Sequence, residues 1–216
     1  MYEKTSKKIT GFCDYLMSLC YGNVVSAHEV FCDSNGNGIV LKWINMQNGV
    51  PHLRINGDYL ESPYTGYFSS IVQAWPNVTT MVSAVEASFS SSTVDMLTAS
   101  EDYWIELYDI AVSGVWGFTQ FRDSTGYVFN KATQAQYSNG DIVYAQVVLT
   151  PYNNFENNTH RQKVMIHELG HVLCLGHPDR EHYNPIASTV RSIMRQGSLG
   201  FKAPQQHDIV DLHNKY

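Results

Sequence analysis

Two histidines four residues apart with a glutamate beside the first, His167-Glu168-Leu169-Gly170-His171, are the residues of this 216-residue chain best placed to do chemistry. On a helix that spacing sets both imidazoles on one face about one turn apart, so two ligands for a zinc ion are preplaced. Glu168 then projects near the ion without binding it, where it can take a proton from a water that the ion activates. His177 lies six residues beyond His171, a distance that converges only if the helix ends and the chain turns back. Gly176 is the residue read as supplying that turn. Three neutral histidines leave a fourth zinc position open to water, which separates a hydrolytic centre from a closed structural one. Asp179 and His182 are the substitutes for His177 as third ligand, while His160, His182, His207 and His213 otherwise read as surface residues.

These side chains need a scaffold, and the apolar pattern supplies its outline. Val164, Ile166, Leu169, Val172, Leu173 and Leu175 predict a helix over Thr159–Leu175 that carries the motif. Before it, alternation predicts strands over Val50–Asn56, Val82–Phe89, Val94–Leu97 and Ile142–Thr150. Phe68, Ile71, Val72 and Trp75 fit an early amphipathic helix over Tyr67–Trp75, stopped by Pro76. The stretch Val112–Gly140, rich in Gly, Ser, Thr and aromatics, reads as a strand edge with long loops, and Pro204–Tyr216 as a closing helix.

Composition sets the outer bounds. The chain is 44% hydrophobic and 16% charged, with 14 basic against 20 acidic side chains, so it reads as one globular domain with no basic nucleic-acid surface. No apolar run is long enough for a membrane span. Lys4, Lys7 and Lys8 precede the apolar Ile9–Val25, and Val25-Ser26-Ala27 has the small residues of a secretory cleavage site, with Asp14 opposing that reading. Residues 1–27 are therefore expected to be a signal peptide, 28–38 a short N-terminal segment, and 39–216 the functional domain of a secreted protein. Processing would leave Cys32 and Cys174, as a pair or as two separate thiols. Asp33-Ser34-Asn35-Gly36-Asn37-Gly38 imitates half of a calcium loop, but its twelfth position is Ile44 rather than Glu, so a polar turn is favoured and calcium is not indicated.

The long motif His-Glu-Leu-Gly-His-Val-Leu-Cys-Leu-Gly-His, with Ser192-Ile193-Met194 after it, resembles that of metzincin zinc endopeptidases, with their extended zinc motif and Met-turn. Within that clan the chain is most similar to short bacterial matrixins, through Lys42-Trp43 and the Asp208-Ile209 helix ending in Tyr216. The resemblance covers roughly Gly38–Tyr216. It implies an α+β catalytic domain with a twisted mixed sheet, an early helix, a zinc-site helix and a C-terminal helix. It also implies one catalytic Zn2+ held by His167, His171 and His177, Met194 as an apolar floor beneath them, and Glu168 as general base in hydrolysis of internal peptide bonds. The expected partner is a protein or peptide substrate, paired antiparallel to an edge strand matched to Ala145–Leu149, and the expected state is a monomer. The loop from His182 to Lys202 would shape the specificity pocket, with Tyr183, Ile186, Val190 and Leu199 either lining it or serving as core.

Three departures qualify that match. Cys174 stands at the glycine that ends the family's zinc helix, which puts strain on the turn. Only one zinc is expected, because no histidine occurs between His52 and His160 to build a second site. No Pro-Arg-Cys-Gly segment supports the usual latency. A switch through Cys32 or Asp33 is weighed against a surface position or a Cys32–Cys174 disulfide, and the latter readings are preferred. Two other functions stay open: a zinc-stabilised binding protein whose turn at Cys174 fails to assemble, and a zincin with Asp or Glu as third ligand.

Overall fold

Short antiparallel strands β1 (Phe31–Cys32) and β2 (Gly38–Ile39) precede β3 (Leu41–Trp43), where Leu41 and Trp43 turn inward and Lys42 outward. The computed structural model describes residues 31–32, 38–39, 41–100, 102–103, 115–126, 128–129, 140–151, 155, 157–177, 191–195 and 200–216. The expected signal peptide, the calcium-like turn at 33–37, Asp179, His182 and the pocket residues Tyr183, Ile186, Val190 and Leu199 lie outside them. Asn48 and Gly49, both at positive φ, make the two-residue turn between β4 (Met46–Gln47) and β5 (Val50–Tyr59).

The early helix is shorter than its pattern. A 3-10 turn at Tyr64–Tyr67 leads into α1 (Phe68–Val72), and Trp75 lies in the turns that follow. Two serines and β-branched Ile71 and Val72 are weak helix formers, so burial of Ile71, Val72 and Trp75 holds the segment instead. Next come β6 (Ser83–Glu86), β7 (Val94–Thr98), β8 (Gly117–Arg122) and β9 (Val128–Phe129). The strand expected over Ile142–Thr150 is divided into β10 (Gly140–Ile142), which pairs parallel with β3, and β11 (Tyr144–Leu149) in the main sheet. Leu41–Trp43 is thus a strand in its own right, ahead of the first one expected, Val50–Asn56.

The main sheet has the order β4-β5-β7-β11-β8-β9, with β6 also on β5. Its β5–β7 and β7–β11 pairs are parallel, whereas β11–β8 and β8–β9 are antiparallel. The fold is therefore mixed α+β, with a mixed sheet and few helices. Strand β11 is central, flanked by β7 and β8, and Ala145, Val147, Val148 and Leu149 are fully buried. This corrects its reading as a substrate-pairing edge: a near-continuous apolar run marks a strand covered on both faces.

Helix α2 (Asn158–Val172) carries the motif and packs on β8 and β11. Asn157 caps it by accepting from His160 N at 3.0 Å. His160 is not a surface residue: it is buried, its ring edge-on to Trp116 at 4.2 Å and to Phe155 at 5.2 Å. His213 is exposed on the last helix, whereas His207 is half-buried beside the buried Asp211 at 3.4 Å. That helix, α3 (Gln206–Lys215), starts with a reciprocal cap between Gln205 and Asp208. It leads to Tyr216, whose hydroxyl accepts from Trp43 N at 3.1 Å and donates to Leu173 O at 3.2 Å. No helix among the described residues is long and apolar enough to cross a membrane.

Candidate metal centre

Helix α2 places His167 and His171 one turn apart, and the chain reverses beyond Val172 to bring up His177. The reversal is made at Cys174, not Gly176: Cys174 takes φ +60°, its N–H bonds His171 O at 2.7 Å, and Leu175 N–H bonds Gly170 O at 3.0 Å. A left-handed residue closing the last helical turn is the usual job of glycine. Cysteine fills it here with a fully buried thiol, in contact with Val172 O at 3.7 Å. We expect Cys174→Gly to be about 1 kcal/mol more stable than Cys174→Ala, since both lose the sulfur and only glycine relieves the left-handed strain. Urea unfolding of the two variants checks this.

The three Nε2 atoms converge: 3.1 Å between His167 and His171, and 2.9 Å from each to His177. His167 Nδ1 lies 2.9 Å from Ile193 O and His171 Nδ1 lies 2.8 Å from Leu175 O. A carbonyl only accepts, so both Nδ1 atoms carry the proton and both Nε2 atoms present lone pairs. Lone pairs facing one another at hydrogen-bond distance repel unless a cation lies among them. Burial, with the charges of His171 and Lys163, also holds the His167 imidazole well below its ordinary pKa and therefore neutral, as ligation requires. The cluster could hold a metal ion, and among the described residues it is the only such group of histidine, cysteine and acidic side chains found.

Glu168 sits beside the cluster, almost fully buried. Its carboxylate accepts from Thr119 Oγ1 at 2.7 Å and lies over Gly117, where an added Cβ would come within 2.7 Å of Oε1. Burial pushes the carboxyl up to about 7, against the downward pull of the Thr119 hydroxyl and the Lys163 ammonium. Gly117 and Thr119 escape the sequence reading. Their signal is the two-residue spacing that puts both on one face of a strand, together with a strand glycine, which marks a close approach.

One side of β8 runs past the same two residues. Thr150 N donates to Trp116 O at 3.2 Å, so Trp116 and, by alternation, Phe118 and Gln120 turn their backbone toward β11. Gly117 and Thr119 turn theirs away. Strand β9 pairs with β8 only at Phe121 and Arg122, and among the described residues no strand pairs with β8 outside Gly117 and Thr119.

Met194 lies beneath the helix, with Sδ packed on Gly170. A Cβ on Gly170 would stand 2.2 Å from that sulfur and 3.0 Å from Trp75 Cζ2. Asp208, fully buried, anchors the turn from below, accepting from the Ser192 hydroxyl and from Ile193 N at 2.9 Å. The Asp208 anchor is long-range and unreadable from spacing. Gly170→Ala should destabilise the protein by about 1–3 kcal/mol and weaken metal uptake, because helix and turn must separate. Thermal unfolding with and without zinc measures both.

The fold and site together define an α+β protein with a three-histidine cluster that could hold a metal ion, on a helix that also carries a buried glutamate. No family model matches the chain, and no curated protein matches it.

Proposed function

We propose that this chain is a secreted zinc-dependent endopeptidase of metzincin, matrixin-like type. The observation that carries the reading is the convergence of three Nε2 atoms within 2.9–3.1 Å of one another, on the helix that also carries a carboxylate that is buried yet bonded only through Thr119 in the contacts above. A bound zinc ion supplies Lewis acidity, polarising a peptide carbonyl and making a water acidic enough to attack it near neutral pH. His167, His171 and His177 would hold the ion.

Glu168 accepts the proton of the attacking water and delivers it to the leaving amine. Burial raises its pKa, which makes the carboxylate a stronger base toward that water. An extended peptide adds as an antiparallel strand to the outer edge of β8, bonding the outward backbone groups of Gly117 and Thr119. Glu168 rests on those two residues, so pairing there brings the scissile bond to the base. Met194 and the 192–195 turn keep the floor apolar and the first ligand in place.

The test is to strip the full chain with chelator, add zinc back in steps, and follow unfolded casein by gel. One zinc per chain with cleavage restored in proportion supports the proposal. Zinc bound without cleavage makes the chain a zinc-stabilised binding protein, and no uptake removes the centre altogether.

A further inference from the structure

Helix α2 buries a lysine. Lys163 is 3% exposed, one turn before His167 on the same helical stripe, and its Nζ donates to Arg195 O. An apolar side chain would fill such a place without the several kcal/mol that burying a charge costs. The carbonyl it reaches follows Met194 directly. His167 Nδ1 reaches Ile193 O on the other side of Met194, and Asp208 holds Ser192 and Ile193 from below. The Met194 N–H also bonds Ser192 Oγ at 2.9 Å. Among the bonds described here, everything N-terminal to Met194 is thus anchored by Asp208 and His167, and the C-terminal side by Lys163.

We infer that Lys163 is a positioning residue of the metal centre, whose ammonium ties the C-terminal half of the 192–195 turn to the zinc helix and so fixes the His167 imidazole for ligation. The inference rests on the reading that the three histidines hold zinc. A cation one helical turn from a dication opposes metal binding, so a lysine that acts through charge alone would leave zinc bound more tightly once removed. A lysine that acts by holding the turn would leave zinc bound more weakly.

The experiment compares full-length wild type, Lys163→Met and Lys163→Arg, reading zinc transfer to a chromophoric chelator and the visible spectrum of the cobalt(II)-substituted proteins. Lys163→Met should lose zinc about tenfold faster, in line with other losses of an outer partner of a ligand, and shift the cobalt bands. Lys163→Arg, which keeps a charged donor, should restore most of both. Circular dichroism of the metal-free proteins separates this from unfolding, and Lys163→Gln, a shorter neutral donor, serves if the methionine variant does not fold and should fall between wild type and complete loss. Zinc held equally or more tightly by Lys163→Met, with an unchanged cobalt spectrum, overturns the inference while leaving the centre intact. A wild type that takes up no zinc overturns both.

Discussion

Glu168→Gln should lower casein cleavage about a thousandfold and leave one zinc per chain in place. The substitution keeps the shape of the side chain over Gly117, and its amide oxygen still accepts from the Thr119 hydroxyl. What it removes is the ability to take a proton. The pH profile carries a second mark. Burial holds the wild-type carboxyl near 7, so activity falls as pH drops and Glu168 fills with a proton; zinc bound nearby pulls that limb to lower pH.

A third readout needs no substrate. In the metal-free protein the folded state binds this proton at about 7 and the unfolded state at 4.5. The folded state therefore holds more protons between those values, and stability falls as pH rises through them. Glu168→Gln should lack that fall and be more stable than wild type at pH 8 in chelator. Urea unfolding at pH 5 and pH 8 decides it. A variant that cleaves at the wild-type rate sinks the general-base assignment, whatever its stability.

His177→Ala should cost roughly two orders of magnitude in zinc affinity, measured by competition with a chelator of known strength. The estimate follows from the roughly 10–16 kcal/mol of a structural zinc site shared among its ligands, about 3 kcal/mol each. The helix should survive, because His177 lies beyond it and is only half-buried. This variant also tests the alternatives: if zinc stays as tight as in wild type, the third ligand is another group, and Asp179 and His182 are next in the chain. The loss should be larger for metal than for stability, which sets it apart from Gly170→Ala, where both fall together.

Where sequence and structure agree, the physics is local. Helical periodicity alone puts His167 and His171 on one face, and the apolar residues from Val164 to Val172 pack the helix on the sheet. The strain expected at Cys174 is present as φ +60°, since the chain must reverse within a few residues for His177 to meet the others. The sheet depends on non-local pairing. Ala145–Leu149 has the composition of a strand, but composition does not say which neighbours it takes. Hydrophobic density on both faces would have argued for a central place. His160 misled in the same way, as a polar residue made buried by Trp116 and Phe155, partners distant or unpatterned in sequence.

The groups that finish the site meet across long stretches of chain. Thr119 and Gly117 reach Glu168 across about fifty residues, Lys163 reaches Arg195 across 32, and Asp208 reaches Ile193 across 15. By itself the sequence determined the helix, the two histidines on one of its faces and the glutamate beside the first, because a helix of known pitch converts spacing into direction, and it offered His177 as the third. Only the tertiary structure decided which strand is central in the sheet, what the glutamate leans on and what holds the Met194 turn. Those depend on which distant segments meet when apolar faces are buried, and burial rewards area without regard to order along the chain.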